Sequence, residues 1–257
     1  MPKRVKTPVT ATAKPPSGPY REDLAYIHDE GFGEFAANAA PWLIDLLRSH
    51  GLVDGLVIDL GCGSGIWARE LSVCGYGVLG YDISAAMVEL ARRRVPRGEF
   101  QAKPFLTARL RPCVAVTAIG EVFNYLFDKR NTPERLEALF ERIHTALRPG
   151  GLFVFDVALP GRVPGGCCRT YTEASSWACL YEAKEDSQNQ TLTRRITTFR
   201  KSGQLYRRDS EIHRLRLYDR TELTAQLRNA GFRVRTVRDY GKTKFPPGYA
   251  GFVAQKR

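Results

Sequence analysis

No stretch of this 257-residue sequence stays apolar for the roughly 18 residues a membrane-spanning helix needs. The N-terminus also lacks the apolar core of a secretory signal, so a soluble, cytoplasmic protein is expected. The six cysteines, Cys62, Cys74, Cys113, Cys167, Cys168 and Cys179, fall at no zinc-ligand spacing, so free thiols and no metal centre are expected. The adjacent pair Cys167-Cys168 has no flanking feature that would lower a thiol pKa, which speaks against a redox role. A further absence sits inside the main motif. Gly61-Cys62-Gly63-Ser64-Gly65 lacks the glycine that a dinucleotide fingerprint requires three residues after the second, because Ile66 occupies that place.

Charge and apolar content are not lacking. Hydrophobic residues make up 43% of the chain, enough for one substantial core, and the length suits one large domain with an elaboration better than two domains. The net charge of +12 invites a nucleic-acid reading. Its distribution argues otherwise: Lys3, Arg4, Lys6 and Lys14 lie in a Pro/Thr-rich tail, Arg92-Arg93-Arg94 close a helix where cations suit the dipole, and the rest are scattered.

Residues 1–19 hold five prolines and few large apolar side chains, and read as a disordered leader. From Tyr20 the composition changes. Gly31-Phe32-Gly33 suggests a hinge before a helix from Ala36 to His50, whose buried stripe is Trp42, Leu43, Leu46 and Leu47. Val57 to Leu60 form a strand that ends at the glycine loop, and a helix starts at once with Ile66, Trp67 and Leu71. Further strands are expected at Gly77–Asp82, Glu99–Ala102, Cys113–Ile119 and Leu152–Val157. Between them lie a helix capped by Ser84 that runs to about Arg94, and another opened by Pro133 with the stripe Leu136, Leu139, Phe140, Ile143 and Leu147.

After Gly161 the period changes to two. Segments near Trp177–Tyr181, Leu192–Phe199, Gln204–Arg208 and Glu211–Tyr218 read as an antiparallel meander, followed by a helix from Arg220 to Ala230 and strands at Phe232–Val237 and Tyr249–Ala254. The fold expected is α/β: a doubly wound, seven-stranded, mostly parallel sheet with helices on both faces and an antiparallel β insertion after strand five. Residues 20–257 form the domain, with 20–50 as N-terminal lid and helix and 161–218 as the insertion contributing to a substrate pocket.

In such sheets ligands bind at the carboxyl ends of the strands. The glycine loop, Asp82 seventeen residues after Gly65, Gly120-Glu121-Val122-Phe123-Asn124-Tyr125 after strand four, and Asp156 near the end of strand five gather there. The strings Val57-Ile58-Asp59-Leu60-Gly61-Cys62-Gly63-Ser64-Gly65, Gly80-Tyr81-Asp82-Ile83-Ser84 with Met87, and Leu147-Arg148-Pro149-Gly150-Gly151-Leu152-Phe153-Val154-Phe155 resemble those of a class I S-adenosylmethionine-dependent methyltransferase of small-molecule type. The resemblance covers about residues 35–257 and implies S-adenosylmethionine as cofactor. By it, the Gly61–Gly65 loop with Cys62 approaches the methionyl part, Asp59 supports the loop and the amino group, Asp82 holds the ribose, and Ile83 and Met87 flank the adenine. The chain departs from the family pattern at Lys103-Pro104, where Gly-Asp is common, and at Val114, where an acid is common.

Methyl transfer needs mainly positioning, so candidates for acceptor contact are polar groups near the cleft. Glu121, Asn124 and His213 are the expected catalytic residues; Gly120, Glu121 and Tyr26 join the cofactor set, and His28 and Tyr125 offer polar contact. Phe32 and Phe35 are expected either to cover the cofactor or to pack on the core. No Asn-Pro-Pro-Tyr type string follows strand four, as it would in a nucleic-acid methyltransferase acting on an exocyclic adenine amine. The expected function is transfer of a methyl group to nitrogen or oxygen of a small molecule. A non-catalytic or regulatory cofactor-binding protein, and an RNA methyltransferase, remain the alternatives.

Overall fold

The computed structural model describes residues 18–257; all of the expected leader except Gly18 and Pro19 lies outside the described residues. Two N-terminal helices, α1 (Glu22–Gly31) and α2 (Glu34–Ser49), precede the sheet. Strands β1 (Leu56–Leu60), β2 (Gly77–Asp82), β3 (Glu99–Ala102), β4 (Cys113–Ala118) and β5 (Leu147–Ala158) alternate with helices α3 (Ile66–Val73), α4 (Ala85–Arg94) and α5 (Pro133–Ala146). Four long strands follow: β6 (Cys167–Ala174), β7 (Trp177–Asp186), β8 (Thr191–Ser202) and β9 (Leu205–Arg216). Helix α6 (Arg220–Asn229), β10 (Phe232–Val237), the short pair β11 (Asp239–Tyr240) and β12 (Thr243–Lys244), and β13 (Tyr249–Lys256) complete the chain.

The main sheet has seven strands in the order β10-β13-β5-β4-β1-β2-β3. Pairing is parallel from β3 to β5, and β13 runs antiparallel to both β5 and β10. The nearly continuous apolar composition of β4 follows from its place: every residue in it is buried. Two apolar layers lie on opposite faces. α2, α3 and α4 pack around Leu43, Leu47, Trp67 and Val88; α5 and α6 pack Leu136, Phe140, Ile143 and Leu227 against Phe153, Phe155 and Phe252. Each such side chain contributes about 1.5–3 kcal/mol by leaving water.

The helix expected to carry Leu147 stops one residue earlier, and Leu147 opens β5 instead. Pro149 cannot continue a helix, and Arg148–Gly151 form an irregularity that shifts the β4–β5 register. Trp42 is half-buried rather than in the stripe of α2, its ring tilted against that of Tyr240 at 5.1 Å between ring centres. The meander has one strand more at its start than expected, and Gln204–Arg208 and Glu211–Tyr218 form one strand, β9, instead of two. Strand β6 shows no burial alternation because it is an exposed edge, which removes the signal on which the sequence pattern depends. The chain breaks between α1 and α2 at Phe32-Gly33, and a Cβ on Gly31 would stand 2.5 Å from the Trp177 ring and one on Gly33 would run into Ile66, so the two glycines permit close approach of α1 to β7 and α2 to α3.

Candidate active site

The carboxyl ends of β1, β2 and β4 open into a cavity of about 580 Å³ at the point where strand order reverses. Gly61, Gly63 and Gly65 have φ of 69°, 52° and 79°, which a side chain would strain. The loop turns its donors inward. Gly61 and Cys62 donate to the Tyr81 carbonyl at 2.7 and 3.0 Å, Gly65 to the Cys62 carbonyl at 3.0 Å, and Gly63 to Asp82 Oδ2 at 2.9 Å. With those N–H groups occupied, the loop makes no cradle for a pyrophosphate. Asp82 also accepts the Ser84 N–H at 2.8 Å through Oδ1, so β2 delivers a carboxylate fixed at both oxygens to the cavity wall. Burial raises its pKa, against the lowering by these backbone donors.

Parallel register sets Thr117 of β4 against Asp59 of β1. A buried relay results: Trp67 Nε1 donates to Thr117 Oγ1 at 3.1 Å, and Thr117 Oγ1 donates to Asp59 Oδ1 at 2.7 Å. Burial pushes the Asp59 carboxyl up to about 7, with Thr117 lowering it and the Asp82 charge raising it. A buried carboxylate held by a single hydroxyl and facing a cavity is suited to a cation. Ile83, Met87, Pro104 and Phe105 form an apolar slot beside Asp82.

The part of the cavity after β4 is organised by Glu121, which has φ of 62° although it is not glycine. Its N–H and that of Gly120 are held by Asp156, whose carboxylate also accepts Tyr240 Oη at 2.9 Å and Tyr249 Oη at 2.5 Å. Burial pushes Asp156 up to about 6, with these four donors opposing it. The Glu121 carboxylate lies between two guanidinium groups, Arg162 Nε at 2.6 Å and Arg194 Nη2 at 2.5 Å. Burial alone would raise its pKa, but Arg194 and Arg162 outweigh that and hold it below the usual range. Arg194 reaches Tyr125 Oη at 3.1 Å, and Tyr125 Oη lies 3.0 Å from Tyr20 Oη, which closes this part of the cavity.

The family described as "Methyltransferase domain" matches residues 33–237, which is most of the chain. The chain belongs to that family. A Bacillus subtilis (strain 168) protein named as a methyltransferase, YqeM, is 26% identical over 71% of this chain and 75% of its own. A Dictyostelium discoideum protein named as an 18S rRNA (guanine-N(7))-methyltransferase is 27% identical over 51% of this chain and 48% of its own, so this chain spans about half of that relative. Among solved structures, CalS10, an amino pentose methyltransferase from Micromonospora echinaspora with S-adenosylmethionine bound, matches with a TM-score of 0.73 at 20% identity, covering 90% of this chain and 96% of its own. That likeness establishes the shared α/β fold.

S-adenosylmethionine fits the methyltransferase cavity on structural grounds. Among the described residues Asp59 has no cationic partner, Gly63 leaves open space where a Cβ would meet nothing within 4 Å, and Asp82 stands next to apolar side chains of the kind a purine needs. Of the expected residues, Asp59, Gly61, Cys62, Gly63, Asp82, Ile83, Met87, Gly120 and Glu121 line the cavity together. Gly65 does not: it caps α3, and a Cβ there would stand 3.0 Å from Ala91. Tyr26 lies outside the wall as well, under the Arg200 guanidinium at 3.9 Å from its ring centre, while Phe32 and Phe35 do line it.

Of the three expected catalytic residues the structure brings only Glu121 to the cavity wall. Asn124 is fully buried and spends its amide on backbone: Nδ2 donates to the Ala158 and Arg216 carbonyls at 2.8 and 2.6 Å, and Oδ1 accepts the Ala158 N–H at 3.0 Å. It pins β9 to β5. His213 does not reach the cavity wall; its Nε2 pairs with Glu211 at 2.8 Å and its ring lies behind Tyr20 and Phe127. Glu121 faces the cavity, but with both oxygens ion-paired it has no free basicity to offer an acceptor. His28 lines the cavity with Nδ1 unpartnered, and burial lowers its pKa to about 4, so its imidazole is neutral. Sequence reasoning missed Tyr20, Arg162 and Arg194. The last had a signal: Leu192, Arg194, Ile196 and Thr198 share the inward face of β8, where an arginine is out of place without a partner.

Proposed function

We propose that this methyltransferase transfers the methyl group of S-adenosylmethionine to a nitrogen or oxygen of a small acceptor held between the glycine loop and the β insertion. One observation carries the reading: side chains of the insertion, among them Thr170, Thr172, Tyr181 and Arg194, line the same cavity as Gly61 and Gly63, and Tyr20 lines it too with its hydroxyl 3.0 Å from that of Tyr125. The domain then runs from Tyr20 to Arg257, with residues 20–50 as lid and 161–218 as the acceptor wall. Bound here, S-adenosylmethionine supplies a methyl group already activated by its sulfonium. The protein's part is to hold an acceptor atom in line at about 3–3.5 Å and to exclude water. Asp82 orients the ribose, and the Asp59 carboxylate, braced by Thr117 and Trp67, receives the amino group. Tyr20, Tyr125 and the ion-paired Glu121 shape the acceptor end.

The amino pentose methyltransferase among the structural neighbours supports a small acceptor on this fold. An RNA acceptor is the competing reading, favoured by the net charge of +12 and by the rRNA-modifying relative. Calorimetry with S-adenosylmethionine, followed by incubation with isotopically labelled donor and either a metabolite extract or total RNA, tests both. A labelled small molecule is expected; label in RNA, with binding that weakens steeply as salt rises, would replace this reading with the second.

A further inference from the structure

The ion pairs around Glu121 do not balance. One carboxylate stands between two guanidinium groups, and the other acids of the cavity wall are engaged elsewhere: Asp59 and Asp82 at the glycine loop, and Asp128 with Arg130 at 2.8 Å. Asp156, behind Glu121, is occupied by two backbone N–H groups and two tyrosine hydroxyls. Arg194 is largely buried, and its Nε has no hydrogen-bond partner. Arg162 uses only Nε on Glu121; among the described residues neither of its terminal nitrogens has a protein partner, and the group sits 5.5 Å from the Tyr249 ring centre at the cavity wall. A cation held in a low-dielectric site without a counter-charge is costly, whereas a guanidinium edge matches a carboxylate bidentately.

We propose that the acceptor of this methyltransferase bears a carboxylate, and that Arg162 anchors it through its two free terminal nitrogens. The inference rests on the methyl-transfer reading and narrows its substrate class. A single negative charge brings the cluster of Glu121, Arg162 and Arg194 to neutrality. Glu121 then serves as a positioning residue: it fixes both arginines, and Asp156 holds its own left-handed backbone in place. An ion-paired carboxylate is a weakened nucleophile, so it fastens the acceptor while another nitrogen or oxygen meets the methyl group. Tyr125, Phe127 and Tyr181 give the acceptor body an aromatic surround.

The test uses benzoate and its neutral counterpart benzamide, titrated calorimetrically into the full chain with and without S-adenosylhomocysteine. Benzoate is expected to bind at least tenfold more tightly than benzamide. In Arg162→Met that preference disappears while S-adenosylhomocysteine affinity stays within about twofold, which also shows that the variant is folded. Arg162→Lys, with the charge but not the planar fork, is expected to fall between. Equal binding of the two probes, no binding of benzoate to the wild type, or benzoate binding unchanged in Arg162→Met overturns the proposal. So does a tenfold loss of S-adenosylhomocysteine affinity in Arg162→Met, because the arginine would then serve the cofactor. Failure of S-adenosylhomocysteine to bind the wild type counts against the methyl-transfer reading instead, and the cofactor-free titration still reads the anion site.

Discussion

The Glu211 carboxylate accepts the backbone N–H of Tyr20 at 2.7 Å across 191 residues of sequence. Its other oxygen accepts the Arg21 N–H at 2.8 Å, so one side chain of β9 fixes the start of the described chain over the cavity. Ser84, the cap of α4, donates to the Tyr20 carbonyl at 2.8 Å from the opposite side. Tyr20 itself has φ of 47°, a conformation held only because its surroundings determine it. The strap thus joins β9 of the insertion to the cap of α4, next to Asp82.

Removing Glu211 should release that strap. In Glu211→Ala two N–H groups lose their acceptor, a cost of about 1–3 kcal/mol for each that stays buried. Limited chymotrypsin digestion is expected to cut after Tyr20 faster than in the wild type, with little change elsewhere. An unchanged cleavage rate would show that Ser84, the Tyr125 contact and the Arg21–Asp209 ion pair hold the segment without Glu211.

Much of the core was legible because its chemistry is local. The glycine spacing, the acid that ends β2, the Ser84 cap and the helical stripes of α2 and α5 each lie within a few residues of one another. The glycine-loop side of the cavity inherits that legibility. The side at the insertion does not: Glu121 meets Arg162 and Arg194 across 41 and 73 residues, and Tyr20 meets Tyr125 across 105. Asn124 and His213 misled for the same reason. Their polarity was visible, but the Ala158 and Arg216 carbonyls that occupy Asn124 become its neighbours only once β9 lies beside the main sheet, and His213, although Glu211 stands two residues away on the same face of β9, is set behind Tyr20 and Phe127 only in the folded chain.

Asp82 has two tasks that a single variant exposes. Asp82→Ala removes the expected ribose acceptor and also leaves the Gly63 N–H without its partner. Charge-assisted hydrogen bonds of this kind contribute about 1.5–3 kcal/mol, so S-adenosylhomocysteine affinity should fall roughly 10- to 150-fold by calorimetry. Affinity equal to that of the wild type would remove Asp82 from the site.

Cofactor binding should depend on pH through Asp59. Its carboxyl lies at about 7 in the cavity without a ligand, and a cationic amino group binds only the ionised form. Affinity for S-adenosylhomocysteine is therefore expected to be flat above about pH 7 and to weaken up to tenfold per unit below it. Asp59→Asn should bind more weakly and remove the slope. A slope that persists in the variant would assign the titration to another group, Asp156 first, since it lies at about 6.

The same carboxylate should cost the fold stability. Asp59 titrates near 3.8 when unfolded and at about 7 when folded, so between those values the folded state carries the proton and the unfolded state does not. By linkage the slope of unfolding free energy with pH is then negative: stability associated with this group is complete below about pH 4 and lost as pH rises through 7. A shift of that size corresponds to an upper limit on the order of 4 kcal/mol. Asn at this position keeps an oxygen to accept from Thr117 and carries no charge to desolvate. Asp59→Asn is therefore expected to melt higher than the wild type at pH 8, with the difference shrinking toward pH 5, even as it loses cofactor affinity. A variant that melts lower at pH 8 would mean that the Trp67–Thr117–Asp59 relay stabilises the fold by more than burial of the charge opposes it.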